Sequence, residues 1–502
     1  MYDIVFCNVP YVHLDYVYPA PAILRGVVQK HGFSARTKDF GAELFKICNR
    51  DLEHFYKVQN WLISYPDPGT EPPEIEKLLD RAIDWLREHP SKFIGISVLS
   101  WQSQIACLLL IQRIKKACIP SKIVIGGRGI EAPNGCSKFL PGTSGQLNAF
   151  NAMDMVLRRL KLVDHAVRGD GEDSILEILG CDSHNHTDKD TFRYPIPDYS
   201  DYELDCYHFE NNVVMWPIIG SKGCVRSCDF CDVGKLFGKY RYRSPEDVAA
   251  EMIYLNQTIG ARNFNFADSL VNGGLKPFRE LLTILADYND KNPDKAIVWQ
   301  GQYICRPAEQ IQDAEAYYKL LYRAGGRFFY IGVESGSNRV LEAMNKKTTV
   351  ESFYYEIEQF RRHGITCLPL LVIGHWSETH EDFLQHLDML INLAPYVRSG
   401  TIVSMRIGVP MFIFEGTPSH TNRKINGITT LDRQVYFCST NPDNTITEKI
   451  YRQLVVLRLA QALKLVDGSY VIHDLSSSLT NLSKINEIND FYEKQFEKIS
   501  SS

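Results

Sequence analysis

The chain has 502 residues, 44% of them hydrophobic and 23% charged, with a formal net charge of −5. That length accommodates two or three well-formed cores, and the mild acidity argues against a nucleic-acid surface as the main function. The longest apolar runs, 105–111 and 367–373, fall short of a membrane span, and the scattered, odd set of thirteen cysteines argues against a disulfide framework. The first residues lack the basic and apolar stretches of a secretory leader, so a reducing cytoplasm is the expected location.

Ile4-Val5-Phe6-Cys7-Asn8-Val9 reads as a buried strand closed by Pro10, and residues 22–31 read as a helix ended by Gly32. Further strands are expected over 33–37, with Asp39 at the end, over 93–98 and over 123–127; a helix is expected over 104–117. Such alternation predicts an α/β, Rossmann-like doubly wound domain over about residues 1–195. Ligands of these sheets lie at the carboxyl ends of the strands, where Ser97, Ser100, Gly126, Gly127 and Arg128 fall. Paired glycines let backbone amides approach a bulky ligand, and they equally serve as a tight turn.

A linker at 195–199 precedes a second domain, about 196–420. An apolar strand over 214–219 leads into Gly223-Cys224-Val225-Arg226-Ser227-Cys228-Asp229-Phe230-Cys231. Three thiolates at this spacing can hold three corners of a cubane iron–sulfur cluster and leave one iron open, whereas four cysteines would close it. Structural zinc is the competing reading, with Cys206 or His208 as a fourth ligand. Ser244-Pro245-Glu246-Asp247 starts a helix that stops at Gly260. Strands are then expected over 263–267, 297–299, 327–333 and 368–373. Their ends carry Asp268; Gln302 and Arg306; Glu334 and Ser335; and Gly374, in that order. Polar groups gathered at strand ends suit a partial, six-stranded TIM-like barrel. The region 421–502 reads as a small helical extension, with helices over 447–465 and 485–498 and a loop at Ser476–Ser478.

Lys222-Gly223-Cys224, Cys228 and Phe230-Cys231 together resemble the signature of the radical S-adenosylmethionine enzymes, in the subgroup with an N-terminal cobalamin-binding-type domain. The resemblance runs from about residue 1 to 420. It implies a [4Fe–4S] cluster on Cys224, Cys228 and Cys231, whose open iron chelates S-adenosylmethionine. It also implies Phe230 near the adenine, with Gly374 and Ile373 as further candidates, and Glu334 facing the cofactor. Asp268 stands where the family has paired acids, with Ser269 replacing the second; Gln302 and Ser335 join the cofactor-binding candidates.

In the first domain, the stretch 19–32, the strand end at Ser97, Gly126-Gly127 and the run Asp164 to Gly169-Asp170-Gly171-Glu172 match the cobalamin domain in order. Arg128 and Gly129 depart from a histidine that often follows the glycine pair, and Asp-x-His-x-x-Gly is absent. Gly374-His375-Trp376-Ser377-Glu378-Thr379 departs too, from a small residue and proline before Glu-Thr; two bulky rings there either narrow the pocket or contact the substrate, or are His375 packed on Trp376 in the core, the favoured reading. Met344-Asn345-Lys346 and Glu415-Gly416-Thr417-Pro418 read as framework.

The implied activity is reductive cleavage of S-adenosylmethionine to a 5′-deoxyadenosyl radical, serving cobalamin-dependent C- or P-methyl transfer to a small-molecule or peptide substrate. An electron donor such as flavodoxin or ferredoxin is the expected partner. Radical cyclisation, rearrangement or methylthiotransferase-like chemistry with the first domain as a scaffold is the alternative. A zinc-stabilised binding module is the non-enzymatic one.

Overall fold

The structure, a computed structural model, describes residues 1–10, 14–64, 66–132, 139–140, 152–181, 191–207, 213–311, 313–431 and 436–465. The chain divides into two compact units, Met1–Pro217 and Ile218–Ser502.

In the first unit, strands β1 (Tyr2–Asn8), β2 (Ala35–Asp39), β3 (Ser91–Ser97), β4 (Lys122–Gly126) and β5 (His165–Val167) form a parallel sheet in the order β2-β1-β3-β4-β5. The helices are α1 (Ala20–Lys30), α2 (Phe40–Ile47), α3 (Leu52–Ile63), α4 (Pro73–Glu88), α5 (Gln104–Lys116), α6 (Met153–Arg159) and α7 (Gly171–Ile178). This is the doubly wound arrangement expected, with its topological switch between β1 and β3. Asp39 ends β2 because its carboxylate caps α2, accepting from Gly41 N at 2.7 Å and Ala42 N at 3.3 Å. α4 buries the stripe Ile75, Leu78, Leu79, Ala82, Ile83 and Leu86, the spacing of a helix with one core face. The segment after residue 195 folds back onto this unit. Arg25, only 6% exposed, needs counter-charge, and Asp198 and Asp201 supply it at 3.1 and 2.7 Å.

β6 (Met215–Ile218) spans the division in sequence. It is followed by a short antiparallel ribbon, β7 (Ser221–Lys222) and β8 (Arg241–Tyr242), and by β9 (Asn263–Phe266), β10 (Val298–Tyr303), β11 (Gly326–Glu334), β12 (Thr366–Ile373) and β13 (Arg406–Pro410). The large sheet runs β13-β12-β11-β10-β9-β6, and β9 through β13 pair in parallel. The intervening helices are α8 (Val233–Phe237), α9 (Pro245–Ile259), α10 (Leu275–Lys291), α11 (Ala314–Arg323), α12 (Asn338–Ala343), α13 (Val350–His363) and α14 (His380–Arg398). Strands laid down in sequence order with crossover helices have the topology of an open β/α barrel.

β10 and β12 alternate strictly between buried and half-buried residues. The buried set faces helices: Trp299 meets Phe278 of α10 and Tyr303 meets Phe360 of α13 in edge-on ring contacts. The other face, with Gln300, Gln302, Leu368 and Leu370, keeps partial access. α9 begins and ends as expected, capped by Ser244 Oγ accepting from Asp247 N at 3.1 Å and closed by Gly260 at φ +70°.

The region after residue 420 is not purely helical. α15 (Pro418–Thr421) leads into an antiparallel hairpin, β14 (Ile428–Leu431) and β15 (Tyr436–Ser439), before α16 (Ile446–Ala462). Ile428-Thr429-Thr430 and Tyr436-Phe437 are β-branched and aromatic, and burial of Ile428 and Phe437 against Met411 and Ile413 fixes the pairing. The expected helix at 485–498 and the loop at 476–478 lie outside the described residues.

Candidate active site around the three cysteines

The β7–β8 ribbon carries the cysteine loop as its connection. Gly223 sits at φ +78°, and a Cβ there would stand 2.9 Å from Lys239 O, so the turn into Cys224 admits glycine alone. Cys224 Sγ accepts from Arg226 N at 3.4 Å. Cys224 and Cys231 are half-buried and Cys228 is buried. Burial pushes the Cys228 thiol up to about 11 and raises that of Cys231, while the Lys346 ammonium nearby draws both the other way.

Neighbouring elements pin this loop on several sides. Asn345 Nδ2 donates to Ser227 O at 2.8 Å and to Ser227 Oγ at 3.0 Å. Asp229 N donates to Met344 O at 3.0 Å, and Ser419 N, in α15, donates to Asp229 O at 2.8 Å. Asp229 Oδ2 lies 3.1 Å from His375 Nε2 and 3.2 Å from Trp376 Nε1. Phe230 and Trp376 pack against Met411, Ile413, Ile428 and Phe437.

Glu334 ends β11 at φ +69°, where the register with β12 shifts. Its Oε1 is 2.5 Å from Lys346 Nζ, and both side chains are nearly buried. Burial works against the Lys346 ammonium, but the charge of Glu334 and the nearness of Cys228 outweigh it, so its pKa lies above the usual value. Lys346 Nζ also stands 5.9 Å from the Phe230 ring centroid. Cys228, Cys231, Phe230, Glu334 and Lys346 therefore share one neighbourhood at the end of β11.

The other expected residues are engaged differently. Asp268 is buried, with Oδ1 accepting from Gly220 N at 2.8 Å and Oδ2 from Ser221 Oγ at 2.7 Å; burial lifts it to about 7 against those bonds. It anchors the entry to the cysteine loop. Gln302 lies on the half-buried face of β10. Ser335 Oγ accepts from Ser337 N at 3.2 Å within its own turn. Gly374, at φ +83°, faces Lys449 of α16, whose Cγ would be 2.8 Å from an added Cβ.

In the first unit, Ser97, Ser100, Gly126 and Gly127 lie together at the carboxyl ends of β3 and β4, and Gly169 and Glu172 follow the neighbouring β5. Ser97 Oγ is 3.3 Å from Tyr18 OH, and Ser100 Oγ donates to Gln102 at 3.0 Å. A Cβ on Gly127 would come within 2.5 Å of Val98 O, and one on Gly129 within 2.3 Å of Ser100 O. Close backbone packing within the unit thus demands these glycines. Gly126 has only ordinary contact near it, at 3.7 Å from Val167.

Lys346 and Asp229 carry no local sequence signature of these contacts, and the adjacent rings of His375 and Trp376 favour core packing over a polar role. A cation twelve residues beyond a strand-end acid has no periodic signature, since it is the α12 turn that returns it. The donor set fits a cluster: soft thiolates, a backbone N–H on one sulfur and an ammonium beside the other two, with iron able to deprotonate the thiols that burial has raised. Among the described residues no three His, Cys, Asp or Glu side chains converge as ligands of a single metal ion. Cys206, once a candidate fourth zinc ligand, belongs to the first unit, and His208 lies outside the described residues.

Residues 218–390 match the Radical SAM superfamily. The anaerobic magnesium-protoporphyrin IX monomethyl ester cyclase of Synechocystis sp. is 24% identical over 263 residues, 48% of this chain and 51% of that protein. The bacteriochlorophyllide d C-12(1)-methyltransferase of Chlorobaculum tepidum is 26% identical over 230 residues, 44% of this chain and 45% of that one. The chain thus spans about half the length of the curated relatives it matches. Among solved structures, the radical S-adenosylmethionine methyltransferase TsrM of Kitasatospora setae, with cobalamin and a [4Fe–4S] cluster bound, superposes with a TM-score of 0.60 at 16% identity. That superposition covers 89% of this chain and 84% of TsrM, and at such identity the likeness is one of fold.

Proposed function

We propose that this chain, whose residues 218–390 are a radical S-adenosylmethionine domain, holds a [4Fe–4S] cluster on Cys224, Cys228 and Cys231 and acts as a cobalamin-dependent methyltransferase. The observation that carries the reading is the convergence of the cysteine loop, Phe230, Glu334 and Lys346 at one strand end of an open β/α sheet. When bound, the cluster and S-adenosylmethionine supply a carbon radical able to take hydrogen from an unactivated carbon, and a methylated corrin supplies the methyl group. The chain's own part is positional. Phe230 offers an aromatic face, and Glu334 offers a carboxylate acceptor for hydroxyl or ammonium donors. Lys346 places positive charge beside two of the thiolates, which favours their ionised, metal-binding form. The half-buried face of β10 and β12 provides a lining of amide and aliphatic side chains for cofactor and substrate.

Cobalamin is assigned to the carboxyl edge of β3 and β4, supported by the switch between β1 and β3 and by the fold shared with TsrM. The competing reading is a scaffold without corrin: contacts with Val98 and Ser100 account for Gly127 and Gly129 with no ligand needed. A one-electron donor protein such as a flavodoxin or ferredoxin, and a small-molecule or peptide substrate, complete the proposal.

The deciding experiment is anaerobic purification from cells supplied with iron and cobalamin, followed by metal analysis and an absorption spectrum. About four irons per chain with a corrinoid band, then transfer of label from methyl-labelled S-adenosylmethionine, supports the methyltransferase. Iron without corrinoid selects the scaffold reading. Zinc without iron overturns the cluster.

A further inference from the structure

Asp229, between the second and third cysteines, is one of the points at which the rest of the second unit grips the cysteine loop. Both donors to its Oδ2 come from consecutive residues after β12: His375 Nε2 at 3.1 Å and Trp376 Nε1 at 3.2 Å. The tautomer follows from the other ring nitrogen. Ser377 N donates to His375 Nδ1 at 3.3 Å and Ser377 Oγ lies 2.8 Å from it, so Nδ1 accepts and Nε2–H points at the carboxylate. His375 is fully buried, so this bond is shielded from water.

His375 and Trp376 are themselves held from behind by the C-terminal elements. Asn444 Nδ2 donates to His375 O, and Ser439 Oγ donates to Trp376 O at 2.9 Å. Asn441 Nδ2 donates to Glu378 O at 2.9 Å, and Arg452 of α16 pairs with Glu378 at 2.6 Å, both side chains buried. A chain of polar contacts thus runs from β15 and α16 through residues 375–378 to Asp229.

We infer that His375 and Trp376 are positioning residues which, backed by β15 and α16, hold Asp229 and with it the spacing of the three cysteine thiolates. The inference rests on the cluster assignment above, and it gives the C-terminal region a task that sequence alone does not suggest. Two neutral N–H groups on Asp229 Oδ2 also disperse a negative charge that stands between two ligands. Removing them leaves that charge concentrated, which disfavours the reduced cluster; neutralising the carboxylate favours it.

The test uses the full chain reconstituted anaerobically with iron and sulfide. Trp376→Phe keeps the ring and deletes one donor, His375→Phe deletes the other, and His375→Gln restores an N–H of similar reach. Cluster loss is followed by the decay of the cluster's visible absorption after addition of a chelator, and the midpoint potential is read by redox titration. His375→Phe is expected to lose its cluster roughly tenfold faster, the factor that one hydrogen bond to a charged group corresponds to, with His375→Gln close to the parent. Its potential falls, while that of Asp229→Asn rises. Ser439→Ala and Asn444→Ala, one step further back, shift cluster loss in the same direction by less.

Tyr318→Phe, which removes a donor to Glu356 and touches none of the groups that hold Asp229, controls for general destabilisation and should leave both readings unchanged. Equal cluster loss and equal potentials in the parent, His375→Phe and Trp376→Phe overturn the latch while leaving the cluster assignment standing. A parent chain that takes up no iron overturns both.

Discussion

Glu334 holds a backbone conformation that residues with a side chain seldom adopt, φ +69°, and its carboxylate is nearly buried against a nearly buried ammonium. Strain of this kind costs on the order of 1–3 kcal/mol and persists only where the surroundings over-determine it; here the Lys346 bond and the register shift in β11 do so. Lys346→Met leaves the Glu334 carboxylate uncompensated and is expected to destabilise the second unit by about 3–5 kcal/mol, read from urea unfolding of the full chain. Glu334→Gln should cost less, because its amide oxygen still accepts from Lys346 while Cys228 and Cys231 remain beside the ammonium. A Lys346→Met chain as stable as the parent would show that the pair does not hold the strand end. The acid was legible in the sequence because Glu-Ser-Gly after an apolar strand is a local pattern. Its partner was not, because α12 alone brings residue 346 back, and no spacing rule encodes a turn of that shape. Trp376 and His375 fall in the same class: two rings in a row read as packing, and only the fold places a carboxylate opposite their N–H groups.

Between elements, the buried carboxylate of Glu356 joins α13 to β10 and α11. Tyr303 OH donates to its Oε1 at 3.0 Å and Tyr318 OH donates at 2.8 Å, with Arg306 N 3.4 Å from Oε2. Burial lifts its pKa from 4.5 to about 7 despite these donors. The folded state therefore binds this proton more tightly than the unfolded chain. The stabilisation is fully present below about pH 4.5 and declines as pH rises towards 7, by about 3 kcal/mol in all. Glu356→Gln removes the titration, so the variant gains stability relative to the parent as pH rises from 5 to 8. Unfolding midpoints at several pH values check this; parallel curves for the two proteins would rule it out. In the second unit the strands were readable from their apolar runs, and α9 from its caps Ser244 and Gly260. α2, α3 and α4 were missed, although α4 carries its own signal, an apolar stripe at helical spacing. The β14–β15 hairpin was missed because its strands are four residues each and its pairing depends on distant Met411 and Ile413.

At the scale of the whole molecule, each unit has its own parallel sheet with its own carboxyl edge, and the two proposed cofactors are assigned to different edges. A ligand that binds the folded form alone stabilises it by RT ln(1 + [L]/Kd), about 2.7 kcal/mol at a hundred times Kd, and slows amide exchange where it binds. The proposed cofactors therefore have separable signatures in the full chain. Anaerobic loading with iron and sulfide, followed by S-adenosylmethionine, should protect residues 220–236 and 330–346, around the cysteine loop and Glu334. Aquacobalamin added to the loaded protein should protect 97–104 and 126–132, at the ends of β3 and β4. The second response is the informative one, because Gly127 and Gly129 are already required by contacts with Val98 and Ser100 and so say nothing by themselves about a corrin. Protection confined to the second unit under both additions would make the first a scaffold and remove methyl transfer through cobalamin. Protection in both units, each following its own cofactor, would leave the substrate as the unknown that divides methyl transfer from the cyclase chemistry of the Synechocystis relative.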